Sequence, residues 1–201
     1  MKWDKQTHGI PDEEFVRGSI PMTKCENRTI SLSKLQLKKN SKVLDIGCGT
    51  GSISIECGIL CSDGSVTAID QNEEAIALTQ QNMEAFNLKN IHIIHGKAPD
   101  DLPEEEFDRI FLGGGSREIE PIIQYVKKHL KTQGIFVANT ILLESTFKIL
   151  QELEAEGFVE ISCTQIQVTK ALQDPGWMMK ALNPIYIITA INPIREEKSN
   201  E

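Results

Sequence analysis

The feature that most constrains this chain is residues 43–51, Val-Leu-Asp-Ile-Gly-Cys-Gly-Thr-Gly, a short apolar run ending in an acidic residue and three alternating glycines. A second apolar run, residues 66–69, closes on Asp70, nineteen residues past Gly51. Two strand ends of this kind describe a nucleotide-cofactor pocket at the carboxyl edge of a parallel sheet. Glycines let the backbone pass close to the ligand, and the second acidic side chain accepts ribose hydroxyls. A dinucleotide fingerprint, G-x-G-x-x-G, would put its third glycine at position 52, where Ser52 stands. Asp45, two residues before the first glycine, would also repel a pyrophosphate. It suits a ligand carrying an amino group and a sulfonium.

From residue 43 onward, apolar runs alternate with helical patterns. Strands are expected at 43–46, 66–69, 91–95, 107–112 and 135–138, and helices at 73–86, 118–131 and 143–156. Strands separated by crossover helices imply a doubly wound parallel sheet. The ending departs from that alternation: residues 158–168 and 185–191 are β-rich, with only 172–183 as a weak helical candidate between them. They read as an antiparallel pair at one edge. Upstream, Thr23-Lys-Cys-Glu26 matches a capping box that would open a helix running to about Leu35. The expected organisation is therefore an N-terminal extension with a helix (1–42), a core (43–194) and a charged, disordered tail (195–201), within one domain.

The net charge of −8 is unevenly spread: residues 1–42 hold nine Lys/Arg against five Asp/Glu, a balance of +4, which leaves −12 on residues 43–201. An acidic chain argues against non-specific nucleic-acid binding, and a basic segment on an acidic body points to an anionic small molecule. No membrane-spanning stretch or signal peptide is expected, which places the chain in the cytoplasm. The five cysteines form no C-x-x-C pair and the four histidines show no metal-ligand spacing, so free thiols and no metal site are expected.

The spacing D-x-G-x-G-x-G at 45–51 resembles motif I of the S-adenosylmethionine-dependent methyltransferases. Together with the strand pattern it implies a Rossmann-like class I α/β fold, with a seven-stranded, mostly parallel sheet and one antiparallel strand near an edge. The cofactor set expected on that reading is Asp45, Gly47, Cys48, Gly49, Thr50, Gly51 and Asp70, with Ala98 in the loop after the third strand. Thr23 has two compatible roles, as a helix cap worth about 1 kcal/mol and as a cofactor contact. Asn139, just past the fifth strand, is a candidate for positioning substrate. No Ser-His-Asp set or paired acid/base carboxylates are visible. Methyl transfer to a carbon already made nucleophilic by conjugation tolerates that absence, because alignment and a dry pocket matter more.

Several stretches resemble one family more specifically: Gly-Ile-Pro-Asp-Glu-Glu-Phe (9–15), Pro-Met-Thr-Lys (21–24), Asp-Ile-Gly-Cys-Gly-Thr-Gly-Ser (45–52), Gly-Lys-Ala-Pro (96–99), Phe-Leu-Gly-Gly-Gly (111–115), Ala-Asn-Thr-Ile-Leu-Leu-Glu (138–144) and Asn-Pro-Ile-Tyr-Ile-Ile (183–188). They are similar to the decarboxylating precorrin and cobalt-precorrin C15-methyltransferases of cobalamin biosynthesis, over about residues 8–192. That resemblance implies methylation of C15 of cobalt-precorrin-6B, loss of the ring-C acetate carboxyl as carbon dioxide, and a homotetramer. It carries cofactor contacts over to Thr23, Gly47–Gly51, Asp70 and Ala98. A polycarboxylate tetrapyrrole needs a local basic patch, for which Arg17, Lys24, Arg28, Arg117 and Lys170 are the candidates. An RNA methyltransferase and a catalytically silent S-adenosylmethionine-binding subunit remain the alternatives.

Overall fold

The computed structural model describes residue 3 and residues 5–114, 118–173 and 175–194. Its main sheet has seven strands in the order β3-β2-β1-β4-β5-β9-β6. These are β1 (Lys42–Ile46), β2 (Ser65–Asp70), β3 (Ile91–His95), β4 (Phe107–Leu112), β5 (Leu130–Thr140), β6 (Val159–Ile166) and β9 (Ile185–Ile191). Strands β1 to β5 are parallel, and β9 runs antiparallel between β5 and β6. The helices are α1 (Cys25–Leu35), α2 (Ser52–Leu60), α3 (Glu73–Ala85), α4 (Ile119–His129) and α5 (Leu143–Ala155). A separate hairpin, β7 (Thr169–Gln173) with β8 (Trp177–Ala181), links β6 to β9.

The period of two along each strand sorts apolar side chains to the two sheet faces. Val43, Val66, Ala68, Phe111, Val137 and Ile187 pack with residues of α1 and α2 on one side. Leu44, Ile46, Ile69, Ile110, Phe136 and Ile188 pack with α4 and α5 on the other. The order reverses between β1 and β4, because β2 and β3 lie on one side of β1 and β4 and β5 on the other. This is the switch point at which open α/β sheets bind ligands.

Three expectations are corrected. Residues 172–183 hold the end of β7 and all of β8 rather than a helix, because Pro175-Gly176 does not continue a helix. Helix α4 ends at His129 and β5 starts at once, since the His129 ring is buried with Nδ1 on the Glu105 carbonyl at 3.0 Å. Thr23 does not cap α1. The helix begins at Cys25, and the carboxylate of Asp12 accepts the Cys25 amide at 2.9 Å. The tail at 195–201 lies outside the described residues.

Helix α1 runs opposite to the parallel strands. Near its middle, Ser31 meets Asn139 at the carboxyl end of β5; at its last residue, the Leu35 carbonyl accepts from Arg109, near the start of β4. The first turn of α1 therefore stands over the carboxyl edge of the sheet.

Candidate active site

The glycine turn after β1 keeps its shape through backbone alone. Gly47, Gly49 and Gly51 hold φ of +75°, +58° and +75°, in the left-handed region that side chains disfavour. The Gly47 and Cys48 amides both donate to the Ile69 carbonyl, at 2.9 and 3.1 Å, which ties the turn to β2. Gly113, after β4, touches the same turn: a Cβ there would lie 2.5 Å from the Gly47 carbonyl oxygen. The two loops flanking the switch point are thus in direct contact, and only glycine allows it.

Beneath the turn, Asp45 is fully buried. Its Oδ2 accepts the Ser54 hydroxyl from α2, while Oδ1 has no partner. Burial pushes its pKa up to about 7, the Ser54 hydrogen bond opposes that, and the charge of Asp70 adds to it. Thr50 Oγ1 is a second buried, unpartnered acceptor in the same stretch. Asp70 closes β2 half-exposed, with Oδ2 accepting the Gly49 amide at 3.0 Å and Oδ1 the Asn72 amide at 2.9 Å. Each carboxylate oxygen keeps a lone pair for an incoming hydroxyl. Ala98, after β3, is half-buried against the α4/α5 side of the core.

A strap of residues 9–24 crosses over this turn. The Pro21 carbonyl lies 3.4 Å from where a Cβ on Gly49 would be, with Ile20 at 3.6 Å. Side chains from three helices pin it. Glu56 of α2 accepts the Gly9 and Ile10 amides at 2.6 and 3.0 Å. Asn82 of α3 receives the Val16 amide at 2.7 Å and donates to the Val16 carbonyl at 3.0 Å. Glu74 accepts the amide and hydroxyl of Ser19 at 2.7 and 2.5 Å. Arg28 of α1 is the hub, with its side chain 0% exposed. Its Nε meets Glu56 at 2.6 Å, Nη1 reaches Asp12 at 3.4 Å and the Thr23 carbonyl, and Nη2 donates to the Ile10 carbonyl. The guanidinium also lies 4.7 Å from the Phe15 ring centre.

Arg28 is therefore withdrawn from the basic patch, because a buried guanidinium with committed donors cannot meet a substrate carboxylate. Lys24 and Lys170 are half-exposed and pair with Asp12 at 3.7 Å and Glu26 at 2.8 Å. Arg17 is exposed on the strap, and Arg117 lies outside the described residues. Asn139 is buried, with its Nδ2 2.9 Å from Ser31 Oγ. Thr23 contributes its carbonyl to Arg28. The sequence reading missed Glu56, Asn82, Glu74 and Ser19, which have no local motif; Asp12 stood inside the 9–15 stretch without a role.

All five cysteines are free thiols. Burial drives the Cys48 and Cys57 thiols well above their ordinary value and Cys61 up to about 11, so none is a poised nucleophile. Among the described residues no His/Cys/Asp/Glu group could hold a metal, and no helix is long and apolar enough to cross a membrane. A shallow groove lined by Gly58, Ser62 and Asn90 lies at the opposite, amino-terminal edge of the sheet, away from the site. What remains at the carboxyl edge is a glycine turn with an unpaired carboxylate oxygen buried beneath it and free lone pairs on Asp70 beside it. Unpaired acceptors of this kind fit a cationic ligand with N–H and O–H groups to donate.

Comparison with known proteins agrees. The model of a precorrin methyltransferase domain matches residues 14–190. A probable cobalt-precorrin-6B C(15)-methyltransferase (decarboxylating) of Saccharolobus solfataricus is 45% identical over 96% of this chain and 100% of that protein. A Methanocaldococcus jannaschii protein of the same description is 42% identical over 90% of this chain and 97% of its own. Among solved structures, a precorrin-6y C5,15-methyltransferase of Geobacter metallireducens superposes with a TM-score of 0.85 at 34% identity, covering 93% of this chain and 100% of that one. A precorrin 8W decarboxylase of Methanobacterium thermoautotrophicum gives 0.85 at 32%, covering 90% and 98%.

Proposed function

The chain belongs to the precorrin methyltransferase family, and from that premise we propose that it methylates C15 of cobalt-precorrin-6B with loss of the ring-C acetate carboxyl as carbon dioxide, giving cobalt-precorrin-7. The observation that carries this reading is 45% identity to a relative of that description over 96% of this chain and 100% of that protein, joined to unpaired acceptors at the glycine turn that suit S-adenosylmethionine.

S-adenosylmethionine, when bound, supplies an already activated methyl electrophile, so the protein's work is placement. Gly47–Gly51, with Cys48 and Thr50 among them, would wall the methionine end, with free amides of the α2 N-terminus available to its carboxylate. Asp45 would face the positive charge, Asp70 the ribose hydroxyls, and Ala98 the adenine, with Thr23 and the strap above. The strap excludes water and keeps the acceptor carbon aligned. Arg17, Lys24, Lys170 and Arg117 would receive the peripheral carboxylates of the tetrapyrrole.

The assembly is a homotetramer on this reading, in the cytoplasm and with no nucleic-acid or membrane partner. Support for self-association comes from the exposed apolar side chains Trp177, Met178 and Met179 on the β7–β8 hairpin and Leu142 and Phe147 near the start of α5. The test is mass spectrometry of cobalt-precorrin-6B incubated anaerobically with the protein and methyl-labelled S-adenosylmethionine. Labelled methyl gained with carbon dioxide lost is the expected result. Methyl gained with the carboxyl retained overturns the decarboxylating part. An unchanged substrate, with cofactor binding verified in the same sample, overturns the whole reading.

A further inference from the structure

Asn82 of α3 pins the strap, and the same carboxamide also holds the glycine turn. The side chain is 0% exposed. Its Oδ1 accepts the Val16 amide at 2.7 Å, while Nδ2 donates to the Val16 carbonyl at 3.0 Å and to the Thr50 carbonyl at 2.9 Å. Nδ2 carries two protons and each carbonyl takes one, so these partners fix which way the amide points. The other pins, Glu56, Glu74 and Arg28, tie the strap to α2, α3 and α1. Asn82 ties it to the turn.

Helix spacing explains how α3 reaches both segments. Residues three and four apart share a face, and Glu74, Leu78 and Asn82 meet the strap in succession. Glu74 holds Ser19, Leu78 Cδ1 lies 3.3 Å from where a Cβ on Gly18 would be, and Asn82 holds Val16. The strap thus runs antiparallel to α3. Thr79, three residues before Asn82, works on the turn instead. Its hydroxyl donates to the Gly49 carbonyl at 3.1 Å, and a Cβ on Gly51 would lie 2.8 Å from it. Thr79 and Asn82 therefore hold the successive carbonyls of Gly49 and Thr50. On the strap, the residue that follows Val16 is the exposed Arg17. One buried amide sets the backbone beside that cation against the turn.

We propose that Asn82 is a positioning residue coupling cofactor binding at the turn to the placement of Arg17 on the strap, so that seating the methyl donor strengthens the grip on the anionic substrate. The inference rests on the roles given to the turn and to Arg17 under Proposed function. A ligand that orders the turn fixes the Thr50 carbonyl, and an amide already held by Thr50 is preset for Val16 on its other side. The residue type matches the task. A serine or threonine hydroxyl has one proton and could not serve two carbonyls, and an aspartate carboxylate has none. Such coupling is reciprocal: what the cofactor adds to the strap's order, the docked strap returns as cofactor affinity.

The test is hydrogen exchange on the full chain with and without S-adenosylhomocysteine, read at the Ser19 amide, whose own partner is Glu74 rather than Asn82. In the wild type the ligand should slow that exchange about 5- to 150-fold, the usual range of coupling between sites. In Asn82→Leu, and in Asn82→Ala, which leaves room for water on the freed backbone groups, the slowing should vanish while the Gly49 amide still responds to the ligand. Thr79→Val is the control for a loosened α3: it should weaken ligand binding yet keep the Ser19 response once the ligand saturates. A Ser19 response that survives in either Asn82 variant overturns the proposal, as does its loss in Thr79→Val or its absence in the wild type, a result that needs neither variant to fold. With cobalt-precorrin-6B, KM should rise in the Asn82 variants by a larger factor than kcat falls, and an unchanged KM overturns the link to Arg17. A wild type that binds S-adenosylhomocysteine with the Ser19 response but leaves cobalt-precorrin-6B unchanged overturns the proposed function and the role of Arg17, while the coupling through Asn82 stands on the exchange result.

Discussion

The glycine turn and the strap that lies against it are held in opposite ways. The turn is built from five consecutive residues, 47–51, and its geometry depends on backbone hydrogen bonds and on what the glycines lack. The strap has almost no regular structure and depends on side chains delivered by α1, α2 and α3. A surface that must approach a ligand closely gains from having few side chains, and its cover can then be anchored only from the side. The consequence is that the turn resists most side-chain changes, while the strap can be undone at one hub. Arg28→Ala should produce the largest effect in the molecule. It would leave Glu56 buried without its cation, a change that costs about 3–5 kcal/mol, a large share of an ordinary domain's stability. Denaturant unfolding checks it, and a loss below about 1 kcal/mol would show the strap to be independent of Arg28.

The same contrast explains what could be read from sequence. Residues 43–51 and Asp70 are close in the chain, carry a recognisable spacing, and took the positions expected of them. The parallel core was legible because its apolar periods are strong. The strap was not, because Glu56 reaches 46 residues to Ile10 and Asn82 reaches 66 to Val16. Sequence spacing carries no trace of such pairs. From sequence Arg28 belongs with the cations of a substrate-facing patch, and only the buried Glu56 beside it overrules that. Thr23 fits a capping box locally, but Asp12, thirteen residues before Cys25, accepts the Cys25 amide instead. The hairpin at residues 169–181 was missed because its strands are exposed on both faces and show no clean alternation.

If the turn's electrostatic weak point is the unpaired Asp45, its behaviour with pH should set it apart from the strap. Asp45 is held up to about 7 from an ordinary 3.8, so the folded protein keeps a proton that the unfolded chain releases. Stability from this group is complete below about pH 4 and falls as pH rises toward 7, by up to about 1.4 kcal/mol for each pH unit. Asp45→Asn should flatten that slope. The ionised form is the one that attracts a cationic ligand, so S-adenosylmethionine affinity should climb through pH 7 in the wild type and stay flat in the variant. Calorimetric titration across pH 5.5–8.5 checks both. A pH-independent wild type would mean that Asp45 does not sense the ligand's charge.

A smaller effect should follow from the contact between the two loops. Gly113→Ala places a methyl group against the Gly47 carbonyl oxygen, and backbone rather than a flexible side chain must yield. The expected cost is about 1–3 kcal/mol, with cofactor affinity reduced at least as much as stability, because the displaced atoms belong to the binding turn. Paired unfolding and binding measurements on this variant sharpen the contrast with Arg28→Ala, where stability should be the larger loss.

The smallest effect lies at the exposed end of the strap. Ser19 donates its amide and hydroxyl to Glu74, and those two bonds hold the Glu74 carboxyl below its ordinary value. The site is open to solvent, so little folding energy is at stake, yet this is the anchor adjoining the segment that crosses Gly49. Glu74→Gln should leave the unfolding midpoint unchanged while S-adenosylmethionine dissociates faster, an outcome that stopped-flow displacement can read. The pH sense follows from the depressed carboxyl. The anchor is intact above the usual carboxylate range and is lost as pH falls through the lowered value of the folded state, so wild type should approach the variant's release rate only in acid. Equal dissociation rates at neutral pH would show that the strap closes by its buried anchors alone, and that its exposed end is not a gate.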